Sequence, residues 1–229
     1  VGTNFTVLRV KRDILRRSRI GAIFTGRSVS TVGPGTNEAY GLDAAFSFYD
    51  NVNLNGYYAR TRTPGLEGDD ESYQAAFTYN GDRYALGVDH LLVGDNFNPG
   101  VGFKPYQGFR ESSLRLERTN RPRIPWLREI STHIRRTWGS NLSGFKLLDF
   151  RHIHSTLIFE DGSRFSSAVQ WVEEGLNVPF KIRGTDIVVP AGSYTGWNGY
   201  GFGATNPSSP VSLNWRYDLG TFLSGNRWG

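Results

Sequence analysis

The residues with the most chemical potential sit in one run of this 229-residue chain: Asp149, His152, His154 and Ser155. A hydrolase at a lipid boundary needs a serine nucleophile, a histidine base and a polar group that orients the base. Alternate residues of a strand point to opposite faces, so His152 and His154 share one face while Asp149 and Ser155 share the other. Base and nucleophile are parted within the strand, and no catalytic residue is assigned. Two histidines at i and i+2 are also a fragment of a metal site. No third ligand stands at a recognisable spacing, so the pair is read as lumen-facing or girdle histidines, with no metal or cofactor expected.

Three other groups could carry chemistry. Glu67, Asp69, Asp70 and Glu71 gather carboxylates that could hold calcium through hard oxygen ligands, although a solvated charge run uses the same residues. The stretch 94–102 is rich in glycine but lacks a Lys-Ser/Thr ending and a following helix, so it is not a phosphate loop. Asp95, Asn96, Phe97, Asn98 and Phe103 are read instead as a constriction loop folded into a lumen. Arg115, Arg118, Arg135, Arg136, Arg151 and Arg164 are candidates to line that lumen and favour anionic solutes, as charged rings do in pores. Ordinary salt bridges to Glu117, Glu129 and Asp149 would occupy the same arginines.

The elements that must position these residues are strands. Through residues 40–48 the even positions Tyr40, Leu42, Ala44, Phe46 and Phe48 are apolar or aromatic and the odd ones small or polar, the period-two pattern of a strand with unlike faces. A turn at Asp50-Asn51 leads into a second such strand, and residues 73–88 repeat the hairpin around Asn80-Gly81-Asp82. Four more hairpins or strand pairs follow the same logic, with turns near 119–126, 160–163 and 206–210 and a basic bend near 13–18. The total is roughly a dozen strands whose connections alternate short and long, as in outer-membrane barrels. The connection 139–144 is short where that scheme wants a long one. Residues 223–229 contain no evident closing strand, and the chain lacks Met at position 1. The first is read as a portion of a larger barrel, and the second as a chain that begins inside a larger product, after removal of a signal peptide, a preceding domain or both.

Composition narrows the class. The second face of the hairpins carries Gly, Ala, Ser, Asn, Thr and Asp rather than Lys and Glu, which suits a lumen better than a water-washed exterior. Tyr40, Phe48, Tyr58, Tyr73, Tyr79 and Tyr84 lie near strand ends, where aromatic girdles sit. No apolar run reaches the roughly 18 residues of a transmembrane helix, a test that a barrel escapes. Cysteine is absent, which excludes disulfides and thiol chemistry. The net charge of +5 is spread along the chain with no compact basic helix, so nucleic acid is not an expected partner. The fold expected is all-β, an antiparallel up-and-down transmembrane β-barrel in one domain spanning 1–229.

Several segments together resemble a known group: Asn4-Phe5-Thr6-Val7-Leu8-Arg9-Val10-Lys11-Arg12, Gly21-Ala22-Ile23-Phe24-Thr25, Phe97-Asn98-Pro99-Gly100-Val101-Gly102-Phe103, Val178-Pro179-Phe180-Lys181-Ile182 and Val189-Pro190-Ala191-Gly192-Ser193-Tyr194. They are similar to the C-terminal domain of a bacterial family of unknown function. The resemblance implies an outer-membrane β-barrel that follows a carbohydrate-binding-module-like sandwich and continues for several strands. It carries no catalytic residues to transfer. The expected function is a passive pore, or the membrane anchor and exit of a sugar-related periplasmic domain. An outer-membrane hydrolase and a soluble β-sheet binding module are the alternatives. Expected partners are outer-membrane lipid, an oligosaccharide or anionic small solute, and a partner chain or further segment completing the barrel.

Overall fold

A computed structural model describes residues 2–104, 106–222 and 225–229. The chain is all-β: thirteen strands form one antiparallel up-and-down sheet, each beside its neighbour in sequence, and no helix occurs among the described residues. In chain order the strands are β1 (Phe5–Ile14), β2 (Ser18–Arg27), β3 (Asn37–Phe48), β4 (Val52–Arg62), β5 (Glu71–Asn80), β6 (Tyr84–Val93), β7 (Phe109–Asn120) and β8 (Leu127–Asn141). They continue as β9 (Lys146–Phe159), β10 (Arg164–Leu176), the short pair β11 (Phe180–Lys181) and β12 (Val188–Val189), then β13 (Gly192–Ala204), β14 (Asn214–Phe222) and β15 (Gly225–Trp228). β11 and β12 pair only with each other, and β1 and β15 end the hydrogen-bonded order of the large sheet. The sheet is therefore open as a ladder.

The chain divides into two compact units, one of Val1–Tyr79, Gly87–Ser112 and Ser140–Gly144, the other of Asn80–Leu86, Ser113–Gly139 and Phe145–Gly229. In the first, register puts like with like. Leu42 lies opposite Tyr58 and Tyr58 opposite Tyr73, while Phe46 lies opposite Leu54 and Leu54 opposite Phe77. Between these two bulky rows runs a row of small side chains, Ala44, Gly56 and Ala75. The small row leaves a concavity of about 970 Å³ on the apolar face, lined among others by Val10, Ile20, Leu42, Leu54, Phe77 and Val88.

The usual distribution of side chains is inverted. The most deeply buried side chains are Asn37, Thr61 and Ser72, whereas Leu42 is 64% exposed and Leu8 60%. In the second unit Ile153 lies opposite Val169 with both side chains about half exposed, and the neighbouring face carries His152 opposite Gln170 and His154 opposite Ala168. Each unit therefore has one apolar face open to its surroundings and one polar face.

The connection after β8 is short, as read from the sequence: a tight turn over 142–145 with Gly144 at φ 91°, where the alternation of short and long connections does not hold. The structure revises the strand map at two other places. β14 starts later than residue 211, because Thr205 N–H donates to the Leu213 carbonyl and Leu213 N–H to Thr205 Oγ1, extending the loop past Pro210. Finally, Gly225–Trp228 does form a strand, pairing with β14 so that Trp228 sits opposite Leu219. Leu223 and Ser224, which the sequence reading placed with that tail, lie outside the described residues, as does Pro105 of the candidate constriction loop.

Candidate functional site

On the polar face of the first unit, the loop after β6 is fastened to the strands chiefly by one side chain. Asn37, at the start of β3, donates from Nδ2 to Thr63 Oγ1 (2.7 Å) and to the Asn98 carbonyl (2.8 Å), and its Oδ1 accepts the Gly100 N–H at 2.8 Å. A buried amide can use all its donors and acceptors only where three partners converge, and here the loop supplies two of them. Gly100 is required by this approach, since a Cβ there would lie 2.4 Å from Asn37 Oδ1. Asn98 N–H donates to Thr61 Oγ1 at 2.9 Å, and Phe97 is buried with Val93 beneath the loop. Lys104 closes the turn by donating its ammonium to the Phe97 carbonyl, and burial holds its pKa below the usual lysine value.

The constriction-loop candidates divide. Phe97 and Asn98 are packed against the strands. Asn96 turns back, its Nδ2 donating to the carbonyls of Glu67 and Gly68 and its N–H to that of Asp69. Asp95 lies so close to Gly108 that a Cβ there would overlap Asp95 Oδ1, and Phe103 is 90% exposed. The acidic run beside this loop does not converge as a calcium site. Asp70 pairs with Arg60 at 2.9 Å and Glu71 accepts the Tyr58 hydroxyl at 2.8 Å, while Glu67 and Asp69 serve the loop through their backbone.

The six arginine candidates do not share a face. Arg115 reaches Glu117 at 2.5 Å and stands 3.5 Å from His133 Nδ1, and strand alternation places Arg135 with His133 on the same polar face. Arg164 shares the parity of Ala168 and stacks over Phe202 with 5.1 Å to the ring centroid. Arg118 has the opposite parity to Arg115 and bonds Asn120. Arg136 and Arg151 lie with Ile153 on the apolar face, gripping Asp149 from two sides at 3.0 and 2.9 Å. Their guanidinium groups also lie over Trp138 and Trp171, at 5.2 and 4.8 Å from the ring centroids. Asp149 is 3% exposed although both arginines are open to their surroundings.

The hydrolase constellation does not assemble. Ser155 Oγ is 2.9 Å from Thr132 Oγ1 and Asp149 is held by arginines, both on the face opposite His152 and His154. The two histidines instead meet His133 of β8. Ring centroids are 5.2 Å apart for His133 and His152, 4.9 Å for His133 and His154, and 5.9 Å for His152 and His154. Among the described residues, these three form the one group of His, Cys, Asp or Glu side chains whose ligand atoms converge, all within 4.8 Å of one another. Sequence reading missed His133 because the third member comes from an adjacent strand, and only register brings it there. Asn37 was missed for a similar reason: nothing local to it marks the loop that closes over it.

No protein-family profile, curated protein or solved structure matches the chain.

Proposed function

We propose that the chain is a membrane-embedded sheet of the bacterial outer membrane, closed as a β-barrel in use, whose polar face lines a passive path for small solutes. The inverted side-chain distribution carries this reading. Asn37, Thr61 and Ser72 are buried while Leu42, Leu54, Val88, Ile153, Val169 and Trp197 stand open. In water such a surface would cost about 25 cal/mol for each Å² of apolar area left exposed, whereas in hydrocarbon it costs nothing. Twelve of the thirteen strands of the sheet run nine to fifteen residues, which suits a tilted crossing of about 30 Å of hydrocarbon, and β15 has four. Loop 94–104 narrows the path, held on the polar face by Asn37, and Arg115, Arg135 and Arg164 bias it toward anions.

The test is single-channel conductance in planar bilayers, with residues 94–104 present and then deleted. Stable conductance that increases on deletion supports a path narrowed by the loop. Folded protein that fails to insert overturns the membrane reading and returns the apolar faces to a soluble interface. Insertion without conductance replaces the pore with a membrane anchor.

A further inference from the structure

We propose that His133, His152 and His154 bind a divalent transition-metal ion of the zinc class on the polar face of β8 and β9. The donor set is three imidazoles and no thiolate, because the chain has no cysteine. Imidazole donors suit Zn²⁺, Cu²⁺ and Ni²⁺, while oxygen-seeking Ca²⁺ and Mg²⁺ are poorly served by them.

Geometry brings the donors near closure. Metal–nitrogen bonds of about 2.0–2.1 Å in a tetrahedral site place nitrogens about 3.3 Å apart. The three candidate ligand atoms already lie within 4.8 Å of one another, so small rotations of the rings about Cα–Cβ and Cβ–Cγ complete the site. Two of them sit on one strand at i and i+2, which fixes their spacing, and the third comes from the neighbouring strand. Three protein ligands leave a fourth position open for water or a solute.

A second observation points the same way. His152 Nδ1 is buried with no hydrogen-bond partner, an arrangement that costs free energy unless something occupies it. The other contacts are weak: His133 Nδ1 stands 3.5 Å from Arg115 Nη2, and His154 Nε2 is 3.5 Å from Thr156 Oγ1. Purely structural histidines would be expected to make short hydrogen bonds in such a setting. Outer groups that could orient the rings are also present. Gln170 lies directly opposite His152 on β10. Glu117, which accepts from Arg115 and from Ser131 Oγ at 2.9 Å, sets a carboxylate against one of the two guanidiniums beside the cluster, the other being that of Arg135. Such partners tune ligand basicity and orientation.

The experiment uses the full chain, folded in detergent and freed of metal with EDTA, in equilibrium dialysis against Zn²⁺. One bound equivalent is expected, not displaced by excess Ca²⁺ or Mg²⁺. His133→Ala and His152→Ala should each weaken binding by at least about 100-fold, more than the roughly 10–100-fold loss typical for removal of an outer-shell partner. His90→Ala, on β6, should bind as the wild type does. Wild-type affinity in both cluster variants overturns the assignment, as does absence of saturable binding by the wild type. Should the variants fail to fold, Cu²⁺ EPR of the wild-type protein decides: splitting by several imidazole nitrogens is expected, and a spectrum of copper with oxygen ligands alone overturns the site.

Discussion

At the scale of single residues, Asn37 does more than any other described side chain to hold a loop in place. Its amide makes three hydrogen bonds, two of them to loop residues, and it is 1% exposed. Asn37→Ala strands the Gly100 N–H and Thr63 hydroxyl in a buried setting, at a cost of about 1–3 kcal/mol. That cost falls on the loop before it falls on the sheet, because the strands keep their own ladders. Limited proteolysis should therefore cut Asn37→Ala between residues 94 and 104 much faster than the wild type, while thermal unfolding of the sheet moves little. Nothing in the residues around Asn37 marks this role. Phe97 and Asn98 are marked, through the spacing of Gly and Pro around them, and those two pack where a folded-in loop requires. Phe103, marked on the same grounds, is open to its surroundings, since nothing in residue type separates an anchoring phenylalanine from a free one.

At the scale of strands, the period-two pattern carries most of the fold. β3 to β6 are legible because the bulky apolar residues keep one parity through the middle of each strand, although Glu38 and Arg60 share that parity at the ends and Leu91 and Val93 take the other. β15 is less so, since Gly225, Asn226 and Arg227 give no face; β14 alternates through Trp215, Tyr217 and Leu219, but its start is set by a hydrogen bond between Thr205 and Leu213 that lies outside any alternation. The histidine cluster marks the boundary of what period can tell. Parity within β9 pairs His152 with His154, but the position of His133 depends on how β8 slides against β9, which no residue count fixes. The same parity splits the arginines, a division hidden when they are considered by type alone. Leu42 lies near the middle of β3 on the apolar face, so in the proposed membrane placement an arginine there would meet hydrocarbon far from either interface. Leu42→Arg should lower the stability of the membrane-folded form by about 2–4 kcal/mol, measured by urea unfolding from vesicles. Ala45→Ser, on the polar face of the same strand, should change it by little.

At the scale of the whole molecule, β1 is the strand on which closure turns. Its side chains are open on both faces, Val7 at 61% and Val10 at 59% exposure, and only its β2 side is paired. A long unpaired edge of this kind invites a further strand. Amide hydrogen exchange in β1 reads the outcome directly. In an open sheet, every second amide is bonded to β2 and the others exchange at once. In a closed barrel in bilayers, both sets are protected, and that is the expected result for the protein in vesicles. Rapid exchange of the alternate set under those conditions would mean that the sheet works open, with its edge covered by lipid head groups or by another chain.

The arginine pair around Asp149 bears on a different property, the depth at which such a sheet rides. Arg136 and Arg151 extend over Trp138 and Trp171 near one end of β8, β9 and β10, with a buried carboxylate between them. Indole prefers the boundary between head group and acyl chain, and a guanidinium reaches outward from there to phosphate. Each cation is tied to Asp149 and to a ring at once, so it cannot follow the lipid independently. In the bilayer placement proposed above the group would act as a waterline: a thinner or thicker bilayer would have to tilt the strands or deform itself around this fixed level, and the choice of membrane would become a property written into four side chains and one carboxylate.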